Sequence, residues 1–248
     1  MNPNEISIEA LAARIGSPDA PVLIDCRIDE DVAADPHLLP CAVRIPHRET
    51  SGRAASFGDK KIIVYCQKGL KLSMGAAAML RDCGVDAVSL SGGQWAWRDA
   101  RLPMLSIAEL PATDSDDRTV WVCPARPALN DMVRIWLIRR FMDRNARCLF
   151  VSEAHVEAVA EKFDAIALRA VSSPDQAITS LMKSWEISYD ALDRLAGLLA
   201  QASSSRTGIG IAYEGALKLY RDDRELEAFG LFLIDATFAA ICSEGVTL

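Results

Sequence analysis

An α/β domain followed by a mostly helical α+β domain is the fold class predicted for this 248-residue chain, and three observations predict it. Short apolar runs at 22–24, 62–65 and 85–90 alternate with helix-forming segments over the first hundred residues, the pattern of a small parallel sheet with crossover helices. The acidic stretch PATDSDDR at 111–118 lacks large apolar residues and reads as a linker. Beyond about residue 170, helical patterns dominate. The expected domains are therefore residues 1–110 and 119–248, joined by 111–118.

The elements follow in order. Residues 6–15 read as a short amphipathic helix. PVLID at 21–25 reads as a strand, ending in Asp25, Cys26 and Arg27, where α/β sheets usually place functional side chains. Residues 29–39 are polar and irregular or weakly helical, 43–46 a short strand, and 50–60 a loop or broken helix. IIVY at 62–65 suits a buried strand, and residues 72–80, rich in Ala and Met, favour helix, with Gly84 as the C-cap. Residues 85–90 give another strand, Ser91-Gly92-Gly93 a turn, and Gln94 to Trp97 the start of a helix or an aromatic cover over a pocket. In the second half, strands are expected at 120–123 and 148–151. Asn130 is the expected cap of a helix over 131–141, and Ser152 starts another with Ala154, Val156, Val159 and Ala160 as its apolar set. Helices then run over 174–184, 189–201, 209–219 and 226–241.

Composition excludes several classes. The net charge of -7 and the pI near 5.1 do not attract nucleic acid or an anionic membrane surface. The N-terminus is not of the secretory-signal type, and no stretch is expected to reach the roughly 20 apolar residues of a membrane span. Seven cysteines, an odd number with no CxxC spacing, point to a reducing cytoplasm. No metal site and no cofactor are expected.

The chemistry concentrates at Cys66. It ends a strand, and the loop Gln67-Lys68-Gly69-Leu70-Lys71 leads from it into a helix. Gly69 permits a tight turn, and successive loop amides with the helix N-terminus can face an anion. Lys68 and Lys71 add positive charge, a setting that favours the thiolate and makes a nucleophile of it. Ser73 is placed to cap the helix or hold the loop. Cys26, Cys41 and Cys83 read mainly as packing residues, Cys26 with a second reading as a resolving thiol.

VLIDCR at 22–27, IVYCQKGLKLS at 63–73 and LSGGQWAW at 90–97, in that order, resemble the rhodanese-like sulfurtransferase domain over about residues 5–105. The resemblance implies a persulfide carried on Cys66, substrate bound by Gln67, Lys68, Gly69, Leu70 and Lys71, and Asp25 and Arg27 beside the loop as a structural or substrate-orienting pair. The six-residue loop from Cys66 to Lys71 has the length associated with sulfur transfer rather than the longer loop of related phosphatases. Lys71 stands where family loops often end in arginine or threonine. WVCPARP at 121–127, WLIRRF at 136–141, RCLFVS at 147–152 and LYRDDRELEA at 219–228 resemble the C-terminal domain of ChrB-type chromate-resistance proteins. In this half Arg126 with Arg139, and Arg140 beside them, form a candidate second oxyanion site, with salt bridges to nearby acids as the other reading. Arg139 and Arg140, as neighbours on a regular helix, are not expected to share one direction. His155 alone is a poor metal signal.

The expected function is transfer of sulfane sulfur from a small anionic donor, thiosulfate or a persulfide, through Cys66 to a thiol, cyanide or protein acceptor. The alternative is a non-enzymatic oxyanion or redox sensor linked to chromate or sulfur stress. A third reading has Cys66 and a second thiol reducing a metal oxyanion.

Overall fold

The computed structural model describes residues 2–204 and 208–244. The chain forms two compact units, one built on residues 2–109 together with 186–188 and the other on residues 110–185 and the described residues from 189 onward.

The first unit runs β1 (Glu5–Ile6), α1 (Ile8–Ala12), β2 (Val22–Asp25), α2 (Asp29–Ala34), β3 (His37–Leu38), β4 (Ala42–Arg44), β5 (Ile62–Tyr65), α3 (Lys71–Asp82), β6 (Ala87–Leu90), α4 (Gly93–Asp99) and β7 (Leu105–Ser106). Five strands make a parallel sheet in the order β1-β6-β5-β2-β4. β3 and β7 form a separate antiparallel pair. The central position of β5 explains its unbroken apolar sequence: all four residues are buried, because both faces of a parallel sheet are covered. α3 packs through Ser73, Ala76, Ala77 and Leu80, spaced by three and four, and leaves Met74 and Met79 exposed. It stops at Cys83 and Gly84, where Gly84 takes a φ of 83° and the Val85 N–H returns to the Leu80 carbonyl at 3.0 Å. The 50–60 segment is a single 3₁₀ stretch, Ser51–Ser56.

The second unit runs β8 (Val120–Pro124), α5 (Leu129–Leu137), β9 (Arg147–Val151), α6 (Val156–Lys162), β10 (Ile166–Ala167), α7 (Pro174–Ser184), α8 (Asp190–Ser204), α9 (Ile209–Leu219) and α10 (Asp223–Glu244). Its sheet is parallel, in the order β10-β8-β9. The two-residue β10 is too short to register as a strand in the sequence. α6 lays Val156 and Ala160 on Val122, whereas Ala154, assigned by sequence to the same apolar face, sits exposed in the 3₁₀ turn before the helix. α5 is buried on every side from Asp131 to Leu137. Its start differs from the expectation. Asp131 accepts the Ala128 N–H at 3.0 Å, while the Asn130 amide donates to the Val171 carbonyl at 2.6 Å. The reason is reach: one turn in, a carboxylate can fold back onto the N-terminal N–H groups that the helix leaves open.

After α5 the helix continues as a π segment, Ile138–Met142. Both arginines of that segment turn to acids of α10. Arg139 meets Glu227 at 2.7 Å and Arg140 meets Asp235 at 2.8 Å. The two neighbours thus take separate acids, about two turns apart along α10. Asp235 also accepts the Trp136 indole N–H at 2.7 Å. Trp136, Phe141 and Phe238 pack edge to face around this polar anchor, with centroids 5.1–6.0 Å apart.

The expectation that no stretch is apolar enough to span a membrane is corrected by α10. Asp223–Ser243 passes that test by length and composition alone. Leu226, Ile234, Phe238 and Ile241 are core residues of the unit and Asp235 in its middle is ion-paired, but only 33% of the apolar window is buried and Phe232 is exposed.

Asp235→Ala removes the acceptor of both Arg140 and Trp136. Urea unfolding of the full chain is expected to show a loss of about 2–4 kcal/mol, with the far-ultraviolet circular dichroism of the native state retained.

Candidate functional site

Cys66 leaves the sheet at the C-terminal end of its central strand, where open α/β sheets present groups to ligands. The residue is 4% exposed. Ile24, Cys26, Val64 and Ala76 share its packing cluster. Its open side is a cleft of about 470 Å³, lined also by Ile28, Asp31, Gln67, Lys68, Leu70, Lys71 and Leu72. All the loop residues singled out from sequence are thus gathered around the sulfur except Gly69, which is turned inward as part of the frame.

The frame is a backbone-to-backbone contact. Gly69 and Gly93 have φ angles of 66° and 58°. A Cβ on Gly69 would lie 2.5 Å from the Gly93 nitrogen and the Leu90 oxygen, and one on Gly93 would lie 2.3 Å from the Cys66 oxygen and the Gly69 nitrogen. Only glycine meets both the left-handed backbone and this approach. The first N–H groups of α4 then take the carbonyls of the loop: Gln94 N–H to Cys66 O and Trp95 N–H to Gln67 O, each at 3.0 Å. With its carbonyls drawn away on this side, the loop leaves the N–H groups of Lys68, Gly69 and Leu70 without a backbone acceptor among the described residues.

The side chain hydrogen-bonded to the Cys66 sulfur is a hydroxyl. Cys66 Sγ lies 3.3 Å from Ser73 Oγ, which also lies 3.2 Å from the Leu70 carbonyl. Ser73 is the third residue of α3 and fully buried, so it holds the loop rather than capping the helix. A hydroxyl has one proton. It donates to Leu70 O while Cys66 is a thiol, and rotation about the C–O bond lets it donate to a thiolate.

Asp25 and Arg27 stand beneath the loop, both with 0% exposure, which removes substrate contact from their possible roles. Arg27 Nε and Nη2 bond the Asp25 carboxylate at 2.9 and 2.6 Å. Its Nη1 donates to the Asp35 carbonyl at 2.8 Å and to Gln94 Oε1, and its Nη2 also donates to the His37 carbonyl at 2.9 Å. Gln94 completes the set by donating to the same His37 carbonyl at 2.9 Å. Gln94 was missed as a site residue, although it follows directly on the Gly92-Gly93 turn. Ile28 and Asp31 were missed too. Their position just beyond Asp25-Cys26-Arg27, at the same end of the sheet, is the signal that would have found them.

Lys68 and Lys71 are exposed, and Lys68 Nζ stacks over the Trp95 ring at 4.7 Å from its centroid. Trp95 is therefore a lip of the site. Trp97 is core, with its indole N–H on the Pro103 carbonyl at 2.9 Å.

The candidate oxyanion site of the second half does not assemble. The Arg126 guanidinium bonds the Tyr220 and Leu217 carbonyls at the end of α9, and its backbone N–H bonds Asp223 at 2.8 Å. Arg139 and Arg140 face Glu227 and Asp235. Protein carbonyls and carboxylates occupy the charge that an oxyanion would need.

A family model described as the rhodanese-like domain matches residues 7–100, and one described as the ChrB C-terminal domain matches residues 121–241. Among curated proteins, YtwF of Bacillus subtilis, whose naming as a sulfurtransferase is provisional, is 32% identical over 104 residues, 42% of this chain and 98% of the relative. Among solved structures, a rhodanese-like domain protein from Staphylococcus aureus is 26% identical, covering 38% of this chain and 90% of that one with a TM-score of 0.35. A rhodanese-related protein from Thermoplasma volcanium is 22% identical, covering 41% and 97% with a TM-score of 0.36.

Gly93→Ala is expected to cost at least about 2 kcal/mol, from the positive φ and the backbone clash together. Gly75→Ala, on α3 with nothing within 4 Å of the new carbon, is expected to be neutral or stabilising by about 0.5–1 kcal/mol. Urea unfolding of both variants measures the contrast.

Proposed function

The chain belongs to the rhodanese-like family over residues 7–100 and carries a ChrB C-terminal domain over residues 121–241, and from that premise we propose that it is a sulfurtransferase working through a persulfide on Cys66. The observation that carries this reading is a nearly buried thiol at the end of the central strand. It opens on a cleft rimmed by two lysines and is hydrogen-bonded to a hydroxyl that can follow its charge.

The donor is a small anion such as thiosulfate, or a persulfide. Lys68 and Lys71 attract it and orient its charged end. The Cys66 thiolate attacks the outer sulfur, a bond forms between Sγ and that sulfur, and the sulfur–sulfur bond of the donor breaks with sulfite leaving on its electron pair. Ser73 holds the thiolate before attack, and the Lys68 and Leu70 N–H groups, which no backbone carbonyl among the described residues takes, are available to the anionic outer sulfur afterwards. A thiol, cyanide or protein acceptor then attacks the outer sulfur and regenerates the Cys66 thiolate, closing a ping-pong cycle. The loop from Cys66 to Lys71 is short, so the anion must come close to the sulfur, which suits a transferred atom better than a transferred phosphoryl group.

Thiocyanate formation from thiosulfate and cyanide tests the reading. Cys66→Ser is expected to fall to background and to gain no sulfur atom by intact mass, with its circular dichroism unchanged; turnover surviving in that variant would falsify the proposal. Lys71→Met is expected to raise the KM for thiosulfate by about tenfold with a smaller change in kcat, the loss of one attractive charge. Ser73→Ala is expected to slow sulfur uptake by about 3–10-fold, the worth of one charge-assisted hydrogen bond.

A further inference from the structure

Cys26 is the other thiol at the floor of this site. β2 and β5 are parallel neighbours in the register Val22 with Ile62 through Asp25 with Tyr65, and the Cys26 N–H continues the ladder to the Tyr65 carbonyl at 2.9 Å. The next step of that register sets Cys26 beside Cys66. Residues so paired lie about 5 Å apart along the hydrogen-bonding direction and point to the same face, inside the span of about 4.4–6.8 Å between Cα atoms that a disulfide bridges. Both side chains belong to one buried cluster, with Ile24, Ile62 and Val64 on the same face. Cys26 is 0% exposed, so Cys66 is the sulfur through which it can be reached.

We propose that Cys26 is a resolving thiol for Cys66: when the Cys66 sulfur carries a leaving group, Cys26 displaces it and closes a Cys26–Cys66 disulfide. For a persulfide the new bond joins the two cysteine sulfurs, the bond to the outer sulfur breaks, and that sulfur departs as hydrosulfide with the proton of Cys26. Cys26 is oxidised, the outer sulfur is reduced, and no further oxidant enters. For Cys66 sulfenic acid, formed by a peroxide, the leaving group is water. A dithiol reductant restores both thiols. The persulfide case rests on the sulfurtransferase reading; the pairing of the thiols does not.

Burial, with Cys66 and Asp25 beside it, holds the Cys26 thiol well above the usual thiol range. Its attack is therefore slower than that of a solvent thiolate. A loaded site passes its sulfur to an acceptor that is at hand and discharges it as hydrosulfide when none comes.

The test uses the full chain in two arms, one loaded with thiosulfate and freed of excess, the other treated with equimolar hydrogen peroxide. Thiols are then blocked with N-ethylmaleimide and non-reduced digests are read by mass spectrometry. A linked peptide joining Cys26 to Cys66 is expected in both arms, lost on dithiothreitol, with hydrosulfide released in the first. Cys26→Val and, in case that variant fails to fold, Cys26→Ala are expected to give no link and to keep the persulfide at least about tenfold longer. If peroxide takes wild-type Cys66 to the sulfinic acid without a link, at the same rate as in the variants, the inference is overturned. If no persulfide forms in any protein while peroxide still links the pair, the sulfurtransferase reading falls and the resolving role stands.

Discussion

Everything at the site depends on how one buried guanidinium is satisfied. Arg27 has no exposed surface, and an arginine cannot shed its charge to escape the cost of burial. Its five N–H donors are met by the Asp25 carboxylate, the carbonyls of Asp35 and His37, and the Gln94 side chain. Those partners come from three separate segments: the end of β2, the approach to β3 and the first turn of α4. Satisfying the charge therefore pins the start of α4 in place. The start of α4 in turn holds the carbonyls of Cys66 and Gln67. The Cys66 loop is shaped from below, by a charge that has no exposed surface.

This explains what was legible in the sequence. A four-residue apolar run, a cysteine, a glycine turn and a helix are local signals, and they located the loop, its lysines and the strand that carries it; the order of the strands came only with the structure. Asp25 and Arg27 were legible as a pair but not as a fully enclosed one, because enclosure depends on Asp35, His37 and Gln94 arriving from elsewhere. Gly93 looked like an ordinary turn residue. Its need to be glycine lies in the approach of Gly69, twenty-four positions earlier, and no window of the sequence contains both.

The second half shows the opposite limit. Its arginines carried a sequence pattern that suited an anion site, and every one of the three found its counter-charge or carbonyl within the unit. A chain richer in acids than bases, 34 against 27, makes that outcome the cheaper one: an arginine that reaches an internal carboxylate needs no ligand to balance it. The neighbouring arginines of the π segment both reach one helix, which carries Glu227 and Asp235 two turns apart. Local pattern cannot foresee an extra residue in a turn.

As the proposed nucleophile, Cys66 is only 4% exposed, which must be reconciled with chemistry on anions. Two features reconcile burial with reactivity. For the proposed transfer the sulfur needs only one open direction, because a single sulfur atom is small and the charged end of an anionic donor would stay out among the lysines that line the cleft. The inward side is graded rather than uniform: a hydroxyl lies next to the sulfur, then a second thiol, then hydrocarbon. The hydroxyl supports the anion, while the hydrocarbon keeps the second thiol protonated and slow. The same burial that holds the Cys26 thiol protonated also keeps it in one cluster with Cys66, so on the proposed sulfur transfer the lifetime of sulfur on Cys66 would be set by how deeply its neighbour is buried.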